Sequence, residues 1–204
     1  MEVCEREGGG EEAMEIDKSS SRSTTTVDVL RKFLSIQQRR AEAYAKLRRG
    51  FSDYVSGGGE SEYQQLCGEI TVEFNDCSKQ VLDIESQFLN PETCRNDLAD
   101  LLKAVQEEEK KKLQLTVKIQ LLKKAGRPSE RLVNHNHCRF RTPTEHLCMH
   151  VHEITEDEGT ADAEADAEYD GALKDAIMGL QYAVTSINEH LEEVRYEIND
   201  LETE

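Results

Sequence analysis

The 204-residue sequence predicts an all-α protein: an elongated antiparallel three-helix bundle or coiled coil, then a C-terminal coiled-coil helix, with a disordered N-terminus. Three observations carry this expectation. Apolar residues recur at three-four spacing in four separate stretches, the period of one helix face. Gly57–Gly59, Asn90-Pro91 and Gly126 with Pro128 punctuate those stretches. Charged residues make up 33% of the chain and no uninterrupted apolar run exceeds three residues, whereas a membrane-spanning helix needs about 20.

Residues 1–26 are rich in Gly, Ser, Thr and Glu and read as a disordered acidic lead. Residues 27–126 hold the three-helix domain. Its first helix runs from Val27 to Val55, on a stripe through Leu30, Phe33, Ala41, Tyr44, Leu47 and Phe51 that Gln37 interrupts. In the second helix, Ser61 with Gln64 reads as a capping box. Tyr63, Cys67, Ile70, Phe74, Cys77, Val81, Ile84 and Phe88 then fill the a and d positions of nearly four heptads. The short glycine-rich link before it favours an antiparallel hairpin. Asn90-Pro91 reads as the cap and first position of a third helix reaching to about Ala125. Leu113, Leu115, Val117, Ile119 and Leu121 alternate as in a strand. The ending argues for a helix instead, with Lys123 and Lys124 in the last turn, Gly126 past it and Pro128 beyond.

Residues 127–169 read as an irregular linker, rich in His and Cys and then acidic. Residues 170–204 form the coiled-coil helix. Leu173, Ile177, Leu180, Val184, Ile187, Leu191, Val194 and Ile198 alternate by four and three and make up a candidate interaction seam. A homodimer, a basic partner helix or the chain's own helices would each fit it.

Charge narrows the partners. The formal net charge is −17, yet residues 27–126 balance 16 basic against 16 acidic groups, while residues 153–204 carry 17 acidic and 2 basic. The acidic excess disfavours direct nucleic-acid binding. Arg39, Arg40, Arg48 and Arg49, with Lys46 near them, form a basic patch that answers the acidic second helix or, alternatively, contacts damaged DNA. The run Glu107–Lys112 reads as a solvated face. His135, His137, Cys138, His146, Cys148, His150 and His152 hold enough soft ligands for zinc, with Cys138, His146, Cys148 and His150 as the candidates. They lack the usual paired-ligand spacing, so the expectation is no cofactor, with a zinc-stabilised interaction module as the alternative. No nucleophile–base or paired-carboxylate arrangement points to an enzyme. Six cysteines without a recognisable secretory signal read as free thiols in a reducing compartment, the nucleus or the cytosol.

Arg40-Ala41-Glu42-Ala43-Tyr44 (R-x-E-x-Y) in the first helix and Glu69-Ile70-Thr71-Val72-Glu73-Phe74 (E-I-T-x-x-F) in the second resemble the required-for-excision-1-B domain family over roughly residues 27–126. The resemblance implies a small helical domain with a part in DNA excision repair and carries no catalytic residue. The function expected is a non-catalytic helical adaptor or scaffold acting through protein partners, without membrane contact.

Overall fold

The computed structural model describes residues 12–91, 93–130 and 156–203, with side chains from residue 25 onward in the first helix and from 163 onward in the last. Four helices follow one another: α1 (Glu12–Val55), α2 (Glu60–Phe88), α3 (Asn96–Ala125) and α4 (Glu156–Thr203). Among the described residues between α3 and α4, Pro128–Glu130 forms a 3-10 turn. No strand occurs among the described residues, so the alternating stretch of α3 is helical to Ala125. None of the helices is long and apolar enough to cross a membrane.

α1 starts upstream of the expected Val27, because no glycine or proline interrupts the chain between Glu12 and Arg49. It ends in a Schellman motif: Gly57 takes φ 103°, its N–H bonds the Tyr54 carbonyl at 3.2 Å, and the Gly58 N–H bonds the Asp53 carbonyl at 2.9 Å. The expected capping box at Ser61 is not formed. Gly59 is the cap residue and makes no side-chain bond, and Ser61 already lies inside the helix. Glu60 and Glu62 in the first turn stabilise the positive helix end instead.

α3 also begins later than expected. Asn90-Pro91 opens a compact turn in which the Asn90 carbonyl accepts from Thr93 and Cys94, and the Arg95 N–H returns to the Phe88 carbonyl at 3.0 Å. Cys94 sits at φ 48°, a left-handed value that stops a helix from running through it. The linker is helical from Glu156, so the acidic repeat Ala161–Glu168 belongs to α4.

The chain divides into two compact units, residues 1–112 with 182–204, and residues 113–181. In the first unit four helical segments share one core. Phe33, Leu30 and Ile36 of α1 meet Cys77, Val81, Ile84 and Phe88 of α2, Leu98, Leu102 and Val105 of α3, and Ile187, Val194 and Ile198 of α4. The heptad residues of α2 from Ile70 to Phe88 are all buried, as their spacing predicts. Pairings fix the directions. Tyr44 packs on Phe74 with tilted rings and Arg40 bonds Ser78, so α1 and α2 are antiparallel. Tyr44 reaches Glu109 and Arg40 reaches Gln106, so α3 runs with α1. Arg31 pairs with Glu202, and Arg95 with Glu197, so α4 runs against both. This is an up-down-up-down bundle, and α4 is its fourth wall rather than an appendage.

In the second unit the end of α3 lies antiparallel to the start of α4. Arg127 pairs with Asp166 at 3.4 Å and Asp170 at 2.6 Å, and the Ser129 N–H bonds Asp166 at 3.0 Å. A Cβ on Gly179 would sit 3.3 Å from Leu115 Cδ1, a close approach that a small residue permits.

Candidate functional site

The family-like motif residues build a polar layer inside the first unit. Arg40 is 3% exposed and Glu109 7%. Arg40 stands where the apolar stripe of α1 would continue past Phe33 and Ile36, so its guanidinium points into the bundle. Its Nη2 donates to Ser78 Oγ at 3.1 Å and to Gln106 Oε1. Gln106 in turn donates to the Ser78 carbonyl at 3.3 Å. Tyr44, one turn on, donates to the Glu109 carbonyl at 3.4 Å and packs on Phe74 with ring centroids 4.6 Å apart. Lys112 closes the layer, 3.0 Å from the Glu109 carboxylate and 4.0 Å above the Tyr44 ring. R-x-E-x-Y and E-I-T-x-x-F are therefore packing motifs: Arg40, Tyr44, Ile70 and Phe74 point inward, and Glu42 is exposed.

Burial sets the electrostatics. Desolvation pulls the Arg40 guanidinium down against the attraction of Glu109, and an arginine still stays charged at neutral pH. Desolvation pushes the Tyr44 hydroxyl and the Cys77 thiol up, so both stay protonated. A protonated Cys77 is the opposite of an activated nucleophile.

Gln37 is 6% exposed, and neither of its amide atoms has a partner. An unpaired buried amide costs about 1–3 kcal/mol, whereas an apolar group of similar shape does not. Gln37→Leu is expected to raise stability by about 1 kcal/mol, read as an upward shift of the thermal midpoint.

The structure redistributes the predicted basic patch. Arg40 is buried. Arg39 is tied to Glu73 at 2.8 Å and Asp76 at 2.7 Å on α2, the complementarity expected across the hairpin. Lys46, Arg48 and Arg49 stay exposed. The run Glu107–Lys112 is not a uniformly solvated face, because Glu109 and Lys112 turn into the layer. Sequence reasoning missed this layer because charged residues were assigned to the surface by type. The available signal was positional: Gln37, Arg40 and Tyr44 keep the inward spacing of Leu30 and Phe33.

The expected α4 stripe faces inward at six of its eight positions and turns outward at Ile177 and Val184. Ile187, Val194 and Ile198 are buried and Leu191 packs against the core. Leu173 and Leu180 are half-buried, while Ile177 and Val184 are 38% and 37% exposed. Ala176 and Ala183 take the buried places beside them, because small side chains let the helices approach closely. The outward line of α4 in the first unit carries Tyr182 and Tyr196, 73% and 72% exposed, with exposed Glu189, Glu193 and Asp200.

A second electrostatic knot ties α3 to α4. Arg95 holds Asp97 at 2.7 Å and Glu197 at 2.5 Å. The Arg95 hydrogen bond holds the Asp97 carboxyl below its ordinary value. A carboxyl depressed in the folded state stabilises fully above its unfolded pKa of about 4 and loses that contribution as pH falls through the folded value. Burial pushes Glu85 the other way, so that group favours the folded state more once protonated. Thermal midpoints should stay level down to about pH 5 and fall below about pH 4, with a shallower fall in Asp97→Asn.

The zinc candidates Cys138, His146, Cys148 and His150, with His135, His137 and His152, lie outside the described residues. Among the described residues no group of three or more His, Cys, Asp or Glu is placed to hold a metal. Cys67 and Cys77 are free thiols, but Cys94 is disulfide-bonded, against the expectation that all six are free.

Fold and layer together define a helical bundle domain specified by internal polar contacts. Within that class, residues 28–123 match the model of the DNA repair REX1-B family, which supports the motif resemblance over that stretch. The match covers α1 from residue 28, all of α2 and most of α3, and stops short of α4. Neither a curated protein nor a solved structure matches the chain.

Proposed function

We propose that this chain is a non-catalytic helical adaptor in nuclear DNA excision repair, acting through protein–protein contacts. The observation that carries the reading is the DNA repair family match over the helices that build the polar layer. Three groups of the layer support it, since they are taken up by packing: Arg40 bonds Ser78 and Gln106, Lys112 pairs with Glu109, and Cys77 is protonated. Direct DNA contact is the lesser reading, because Arg40 is withdrawn into the bundle and Arg39 is neutralised by α2. The Cys94 disulfide removes the free-thiol premise, so the nuclear assignment rests on the family.

Cells lacking the protein test the proposal. The expected result is slow removal of ultraviolet lesions, restored by the full chain, with repair proteins among the neighbours labelled by a proximity enzyme fused to it. Normal lesion removal in the knockout, or labelling confined to the cytosol, overturns it. The purified chain should show no salt-sensitive affinity for damaged duplex DNA at physiological ionic strength.

A further inference from the structure

The inward stripe of α4 is consumed by the chain's own core, and this leaves a second line on the same helix unexplained. Tyr182, Glu189, Glu193, Tyr196 and Asp200 follow at intervals of seven, four, three and four, so they share one outward face. The two tyrosines are among the most exposed large side chains described, and about 21 Å of helix separates them. Tyrosine is among the side chains enriched at binding hot spots, and here two of them stand exposed on either side of exposed carboxylates. Between Tyr182 and Asp200 the only Lys or Arg is Arg195, which is spent on Glu192 at 2.5 Å; His190 lies 3.8 Å from Glu193, and Lys111 of α3 is the cation near Tyr182. Across the core, Glu197 is held by Arg95, so it adds nothing to the outer line.

We propose that this face is a docking strip for a basic helical segment of another protein. The sign of the charge selects the occupant. A second copy of the strip would oppose Glu193 and Asp200 with carboxylates, and nucleic acid or an anionic lipid surface would be repelled in the same way. A helix bearing Lys or Arg is attracted to all three carboxylates and can lay its cations over the two tyrosine rings. Heptad-multiple spacing of the tyrosines favours a helix over an extended segment as the ligand. The strip deepens the adaptor reading and rests on it.

Fluorescence anisotropy on the full chain tests the strip, at physiological salt. The probe is a labelled 21-residue designed helix with Leu at a and d and Lys at e and g, and its counterpart carries Glu in place of Lys. The Lys helix is expected to bind and the Glu helix not to. Tyr182→Ser with Tyr196→Ser should weaken binding about tenfold or more, as should Glu189→Gln with Glu193→Gln and Asp200→Asn. Glu60→Gln with Glu62→Gln on α2 should leave it within about twofold. All these positions are exposed, and unchanged circular dichroism confirms folding. Absence of Lys-helix binding, binding of the Glu helix, or equal losses in the α2 control each overturn the strip. In cells, a repair-deficient knockout fully rescued by the double tyrosine variant rejects the strip alone, whereas a knockout with normal repair rejects the adaptor reading.

Discussion

Arg40→Ala is expected to destabilise the first unit by about 3–5 kcal/mol, the cost of removing one member of a buried charged network. Ser78 and Gln106 lose their donor, Glu109 loses an attracting charge, and a void opens beside Tyr44. Domains of this size are stable by only about 5–15 kcal/mol, so the variant should unfold at markedly lower urea concentration. Arg39→Ala is the control. Its guanidinium is one residue away and makes two ion pairs with α2, but its side chain is 38% exposed, so the loss should stay under about 1 kcal/mol. Equal effects of the two substitutions would show that the layer is not what holds α1, α2 and α3 in register.

Truncation after Gln181 should have the larger effect. It removes Ile187, Val194 and Ile198 from the core they share with α1, α2 and α3. Burial of each such side chain contributes about 1.5–3 kcal/mol, and together they rival the whole net stability of a domain. The truncated chain should keep helical far-ultraviolet dichroism, lose its cooperative thermal transition and bind a hydrophobic dye. A sharp transition within a few degrees of the full chain would mean that α1–α3 form an independent domain. Ile177→Ser, on an exposed flank of α4, should change little by comparison.

Much of this architecture is legible in the residues. The unbroken heptads of α2, the glycine turn after α1 and the Lys-Lys-Ala-Gly stop of α3 each specify their element locally, because spacing and backbone freedom act within a few residues. Three features resist such reading. Asn90-Pro91 is an equally good opening for a turn or a helix, and the hydrogen bonds from Arg95 back to Phe88 decide between them. The burial of Ala176 and Ala183 in place of Ile177 and Val184 depends on how closely neighbouring helices approach, as Leu115 does at Gly179. The polar layer is hardest, because an arginine on a buried stripe reads as surface until its acceptors on two other helices are known. The family resemblance was legible from R-x-E-x-Y and E-I-T-x-x-F, although those letters report packing.

The placement of the fourth wall also bears on synthesis. Residues 113–181 separate the α3 segment of the first unit from the α4 segment that covers it. A ribosome that has just released Val105 still has to translate beyond Ile198 before the core can close. During that interval Phe33, Phe88, Leu102 and Val105 lack the α4 side chains that complete their core. Closure of this core therefore waits for the α4 segment to be made.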